Sequence, residues 1–419
     1  MSSPAAATPP VARSAWLVVA LGFGAIVFEG YDLIVYGSVV PTMLAHPGWS
    51  MSAGQAGAIG SYALLGMFLG APASGWLADR FGRRRLFIGL LVWFSVMMVL
   101  VALAPSPGLL GLFRFLAGLG FGGIPPTAIA LVVEVAPAGR KLFYNSVMLS
   151  GFPVGGVVAA VASITLLGPI GFRGLFALGA VPLVTLVPLA WWVLPESARF
   201  ASAGQAAGGG KVRALVCGQA AVATVLFAVA NFCGFLLVFG LNTWLPQLMR
   251  GAGYDLGSAL TFLLLLNIGS VVGGLVGAAV SDRFGGRVVA TTLFVLAAAA
   301  MLLLTAPHSP ALTSVLVFVA GAMIVGSQSV LWGYVAMHYD TGARATALGV
   351  TSGIGRLGAA AGPAIGGLLV ASGVGLAGNV VVFAVAALAG AVSSVLVPRR
   401  RTATTTPAPA LLPGLDPTP

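Results

Sequence analysis

Four ionisable side chains, Glu29, Asp32, Arg114 and Arg356, stand inside long apolar stretches of a 419-residue chain in which charged residues make up only 7%. A charge near the centre of a bilayer costs about 2.5–3.5 kcal/mol on insertion scales, so each of the four needs a purpose. Glu29 and Asp32 share one helix face, which Tyr36 continues a turn later. Two carboxylates this close and away from water disfavour being charged together, which suits them to carrying a proton. The first reading is therefore that Asp32, with Glu29, takes up a proton on one side and releases it on the other. The second is that one acid only neutralises Arg114 as a fixed ion pair. At ~1.5 Å per helical residue, Asp32 lies about 27 Å along a helix begun near Ser14, and Arg114 about 9 Å into its own stretch. Arg356 lies about 17 Å into its stretch, near mid-depth.

Arginine keeps its charge and can grip a carboxylate through two parallel hydrogen bonds. Arg356 is accordingly expected to hold an anionic group of a ligand, the alternative being a brace for the Gly-rich stretch around it. Tyr31, Tyr36, Trp244, Trp332 and Tyr334 are candidate wall residues, with Asn242, Asn267 and Gln328 as polar partners. Flat rings with a few amides suit an aromatic acid, because the ring stacks and the amides orient hydroxyl groups.

The elements that must position these groups follow from composition. Hydrophobic residues form 59% of the chain, so most of its surface faces something other than water. Continuous apolar runs select helices over a barrel. Cutting at charges, Pro and Gly predicts twelve spans: 14–41, 54–78, 86–105, 108–133, 142–167, 172–194, 214–246, 257–280, 288–306, 310–337, 345–371 and 375–397. The first is too long for a cleaved signal and is expected to be retained. Cys217 and Cys233 fall in one apolar stretch and read as core residues, and His46, His308 and His338 offer no metal spacing. No cofactor is expected, and no nucleophile and base constellation is visible, so no enzyme is predicted.

A net charge of +11 needs no nucleic acid to explain it. The basic residues cluster in alternate connections: Arg13; Arg80, Arg83, Arg84 and Arg85; Arg140 and Lys141; Arg199, Lys211 and Arg213; Arg283 and Arg287; Arg344; Arg399, Arg400 and Arg401. The opposite loops hold Arg173 and Arg250. This asymmetry predicts both termini and the central connection in the cytoplasm, and the protein is expected in the plasma (inner) membrane. The predicted organisation is a cytoplasmic segment 1–13, a six-helix bundle 14–194, a Gly-rich cytoplasmic linker 195–213, a second bundle 214–397 and a disordered cytoplasmic tail 398–419. An internal repeat supports the division. Gly75-Trp-Leu-Ala-Asp79-Arg80-Phe-Gly82-Arg83-Arg84-Arg85 returns as Gly277-Ala-Ala-Val-Ser-Asp282-Arg283-Phe-Gly285-Gly-Arg287, half a chain later. Asp79 and Asp282 beside these arginines, with Glu134 in reach of Arg83 or Arg84, are expected to form a cytoplasmic gate that latches the halves in one state.

The repeated loop resembles the Gly-x-x-x-Asp-Arg-x-Gly-Arg-Arg signature of the major facilitator superfamily. Arg114-Phe-Leu-Ala-Gly118-Leu-Gly120 and Pro195-Glu196-Ser197-Ala-Arg199 are similar to two further motifs of that family. Glu29-Gly30-Tyr31-Asp32, followed by Gly37 and Pro41, resembles the Asp-Gly-x-Asp motif of its aromatic acid/proton symporters, with Glu for the first Asp. Asn242-Thr-Trp244-Leu-Pro246 and Gly353-Ile-Gly355-Arg356-Leu-Gly358 look like that group too. Gly151-Phe-Pro153-Val-Gly155-Gly156 is loosely similar to a motif of drug antiporters, as is Gly362-Pro363-Ala-Ile-Gly366-Gly367.

The resemblance implies an all-α membrane protein of twelve helices in two pseudo-symmetric bundles. Its expected work is proton-coupled import of a small benzoate-like or hydroxybenzoate-like carboxylate by alternating access. Asp32, Glu29 and Arg114 are assigned to proton coupling, with protons, one small acid and membrane lipid as partners of a monomer. A transporter of another organic anion, an efflux antiporter and a ligand-binding sensor without flux remain open alternatives.

Overall fold

The structure is a computed structural model that describes residues 11–137, 139–194 and 218–398. The predicted linker 195–213, Cys217, the segment 1–10 and the tail from 399 lie outside the described residues.

Eleven helices among the described residues are long and apolar enough to cross a bilayer. Spans 1 to 4 are Val11–Leu44, Ala53–Phe81, Arg83–Leu103 and Pro107–Val135. Span 5 combines Lys141–Leu149 with Gly151–Leu178 as far as a break at Gly171. Spans 7 to 12 are Gly218–Gly251, Leu256–Phe284, Gly286–Leu303, Pro310–His338, Thr341–Ala371 and Leu376–Leu396. The sequence places their starts for local reasons. Ser52 caps span 2 in a capping box with Gln55, and Asp255 caps span 8 through the amide of Ser258. Ser106 followed by Pro107 opens span 4 as Ser309 followed by Pro310 opens span 10.

The predicted span 172–194 is not one continuous helix. Gly171 takes φ 66°, ψ 178° and ends span 5. Helix resumes from Phe172 to Leu178, tightens to a 3₁₀ turn at Val181–Leu183 and restarts as Leu186–Val193. Pro182 and Pro188 each lack an amide hydrogen, so an unbroken ladder cannot run through this stretch. These pieces are span 6.

Packing repeats in the two halves. Spans 2 and 4 lie together as spans 8 and 10 do, and spans 1 and 5 as spans 7 and 11 do. Close backbone approach sets these pairs. A Cβ at Gly118 would collide with the carbonyl of Ala63, and one at Gly321 with the carbonyl of Leu266. The same holds for Gly155 against Val27 and Gly358 against Phe232. Small residues allow this where no hydrophobic force separates protein from lipid.

Between the halves, span 2 packs on span 11, span 5 on span 8 and span 1 on span 7. The contacts run from mid-depth to the charge-poor side: Gly37 meets Asn242, Gly57 meets Pro363 and Gly367, and the hydroxyl of Ser61 donates to the carbonyl of Ala360 at 2.6 Å. Toward the basic side, Gly75 of span 2 and Gly349 and Gly353 of span 11 have open space where a Cβ would stand. The bundles thus meet on the charge-poor side. A cleft of about 540 Å³ between spans 2, 3 and 4, lined by Phe81, Gly89 and Trp93 among others, lies within one bundle and away from the buried charges.

Candidate functional site

Span 1 carries the acids to mid-depth. Asp32 is 0% exposed, Glu29 3% and Arg114 1%. Asp32 Oδ1 and Arg114 Nη1 are 3.7 Å apart, an ion pair without a hydrogen bond. The guanidinium lies over the ring of Tyr36, 4.3 Å from its centroid, and 6.0 Å from that of Phe176. Both oxygens of Asp32, Glu29 Oε2 and two nitrogens of Arg114 are buried without a hydrogen-bond partner. Buried polar groups ordinarily find partners. A cluster with this many unused valences can accept a proton, water or a ligand.

Arg356 approaches from the other half. Its Nη1 donates to the carbonyl of Met67 in span 2 at 3.1 Å, so it bridges the bundles. It also attracts Glu29 across that interface. Among the described residues the two do not close to an ion pair. One acid therefore pairs within its own bundle, while the other faces a cation of the opposite bundle.

Next to these charges runs a series of rings. Phe152 of span 5 meets Phe239 of span 7 at 6.0 Å, edge to face. Phe239 stacks on Phe235 at 6.1 Å, and Phe235 meets Trp332 of span 10 at 6.2 Å. Phe235 also presses on Gly355, the neighbour of Arg356. Trp332 Nε1 donates to Asn231 Oδ1 at 3.2 Å. Phe152, Phe235, Phe239 and Asn231 were missed in the sequence. Asn231, Phe235 and Phe239 repeat every four residues, one stripe of a helix, and that signal was there to be read.

Several expected wall residues are placed elsewhere. Trp244 is fully buried between spans 7 and 11, its Nε1 spent on the carbonyl of Pro363 at 2.8 Å. Tyr334 packs against Phe227, His338 and Gly286 at the basic end of span 10, away from the acids. Tyr31 donates to the carbonyl of Leu175 at 2.8 Å and Tyr36 to that of Ala56 at 2.6 Å, so both hydroxyls are used inside the first bundle. Asn267 Nδ2 donates to Asn242 Oδ1 at 2.9 Å, and each amide also donates to its own helix backbone. Trp332 and Gln328 remain beside the ring series. These placements put Trp244 in the span 7–span 11 interface, Tyr334 at the basic end of span 10 and Tyr36 against the Arg114 guanidinium.

Trp244→Phe removes the indole hydrogen bond to the Pro363 carbonyl, at a cost of about 0.5–1.5 kcal/mol. It should lower the Tm of the purified protein and leave the KM for the carried solute unchanged. A raised KM at unaltered Tm would return Trp244 to the ligand wall.

The loop contacts found among the described residues lie within one half each. Arg83 ion-pairs with Glu134. Arg84 Nη2 donates to the carbonyl of Trp191 at 2.6 Å, and Arg287 donates to that of Val395. Arg80 lies over Trp76 at 5.6 Å and Arg283 over Phe284 at 5.5 Å. Asp79 and Asp282 are exposed and make no ion pair among the described residues.

Comparison with known proteins agrees with this architecture. The family model described as Major Facilitator Superfamily matches residues 22–363 and 265–417. A gentisate transporter of Corynebacterium glutamicum is 38% identical over 393 residues, covering 92% of this chain and 88% of that protein. A benzoate transport protein of Acinetobacter baylyi is 33% identical, covering 92% and 90%. The solved D-xylose-proton symporter superposes with a TM-score of 0.76 at 18% identity, covering 90% of this chain and 97% of that one, a likeness of fold.

Proposed function

Because this chain belongs to the major facilitator superfamily, a family of membrane transporters and not of enzymes, we propose that it imports a small aromatic carboxylate together with protons. The observation that carries this reading is Arg356, a cation on the bundle interface that attracts Glu29 of the opposite bundle, with the ring of Phe235 against the adjoining Gly355 and stacked on Phe239. In this reading the acid's carboxylate takes the guanidinium and its ring stacks on the phenylalanines. The names of the gentisate and benzoate carriers support the same substrate class.

Asp32 and Glu29 carry the proton. A carboxylate arriving at Arg356 competes with Glu29 for one positive charge, so substrate binding and protonation of Glu29 favour each other. That reciprocity is what coupling requires. The two bundles, 14–194 and 214–397, rock about the site, with both termini in the cytoplasm of a cell whose inner membrane holds the protein. Asp79 and Asp282, exposed in the present state, close with the opposite arginines when the basic side shuts. Inward movement of a proton is worth ~2.3 kcal/mol per 100 mV. One proton with a monoanion is electroneutral and draws on the pH difference alone.

The test uses vesicles holding the full-length protein. With an inward proton gradient, radiolabelled benzoate and 2,5-dihydroxybenzoate should rise above their equilibrium level and collapse with a protonophore. Uptake of neither acid would sink the substrate class, and uptake indifferent to the protonophore would sink the coupling.

A further inference from the structure

Resting on the aromatic-acid reading of this site, the geometry points to Gln328 as the residue that reads a hydroxyl on the ring, so that the carrier prefers ring-hydroxylated acids to unsubstituted ones. The other amides around the site each make a side-chain hydrogen bond. Asn267 Nδ2 donates to Asn242 Oδ1 at 2.9 Å, and Asn231 donates to the carbonyl of Phe227 at 3.0 Å while accepting from Trp332. Gln328 differs from them. It is 6% exposed, and both Oε1 and Nε2 are buried without a hydrogen-bond partner.

A primary amide so placed leaves two donors and an acceptor unused in a medium where each unmet valence costs stability. Its place is specific. The Nε2 lies against Gly234 so closely that a Cβ there would collide with it. Gly234 adjoins Phe235 of the ring series, and Trp332, one helical turn from Gln328, meets the ring of Phe235.

Arg356 claims the carboxylate, so the remaining polar reader faces whatever else the ring carries. An amide offers a donor and an acceptor together, and a phenolic hydroxyl is complementary to both at once. A second anionic group would instead call for a cation. A site that hydrogen-bonds a substrate hydroxyl rejects the analogue lacking it, because its own polar groups are then left unpaired. An apolar wall shows no comparable preference.

The experiment measures kcat/KM for benzoate, 3-hydroxybenzoate and 2,5-dihydroxybenzoate in proteoliposomes of the wild type, Gln328→Leu and the near-isosteric Gln328→Met. At least one hydroxylated acid should be favoured over benzoate by the wild type, and that ratio should fall about tenfold in both variants. A wild-type ratio near one, or a ratio within twofold of wild type in the variants, overturns the inference. Should a variant bind without transporting, the same ratio is read from equilibrium binding to the purified protein. Failure of the aromatic-acid reading looks different, since the wild type then takes up none of the three acids.

Discussion

Arg356→Ala is expected to lower kcat/KM for aromatic carboxylates by about 100-fold. Truncating one partner of a buried, hydrogen-bonded charge pair costs about 2–5 kcal/mol, and about 2.7 kcal/mol is a factor of 100. The loss should be selective for charge, so binding of a neutral analogue such as benzamide should change far less. Arg356→Lys separates the two roles of the residue. Lysine keeps the cation but not the planar fork, so it should restore part of the carboxylate affinity. The residue also holds the carbonyl of Met67 across the interface. A purely bracing role would weaken acid and amide alike, and equilibrium binding of the pair to purified protein decides between the two.

Asp32→Asn is expected to abolish accumulation driven by a proton gradient while counterflow of labelled against unlabelled acid persists. Asparagine mimics the protonated carboxyl in shape and cannot release its hydrogen. The carrier should then exchange substrate and no longer concentrate it. The substitution also leaves Arg114 without its partner at 3.7 Å. Breaking a buried pair costs about 3–5 kcal/mol, so a lower Tm should accompany the change. The stacking of Arg114 on Tyr36 offsets part of that cost. Intact gradient-driven accumulation by Asp32→Asn would remove Asp32 from proton coupling and leave Glu29 as the carrier of the proton.

Much of the fold is legible because it is local. Ser52, Ser106, Asp255 and Ser309 cap helices where the apolar runs begin, and Gly82 and Gly285 end spans 2 and 8 at equivalent points of the two halves. The break in span 6 was also written locally, in Gly171, Pro182 and Pro188, but an apolar run of membrane length hides such interruptions from a reading by hydropathy. The site is legible only in its charges. Glu29, Asp32, Arg114 and Arg356 announce themselves because lipid depth makes them expensive. Rings carry no such signal. Trp244 and Phe235 are both aromatic residues of span 7, yet one seals a helix interface and the other packs on Gly355 within the series of rings. The difference is the rotation of span 7 against spans 10 and 11, which contacts distant in sequence decide.

Gly82 is the whole connection between Ala53–Phe81 and Arg83–Leu103, at φ 84° and ψ 150°, and Gly285 joins spans 8 and 9 in the same way at φ 84° and ψ 141°. A side chain there is strained, so the motif's glycine answers to backbone shape as much as its arginines answer to charge. One residue leaves no slack. When the end of span 2 moves, the start of span 3 must move with it, and likewise for spans 8 and 9, so at the basic surface neighbouring helix ends shift as pairs.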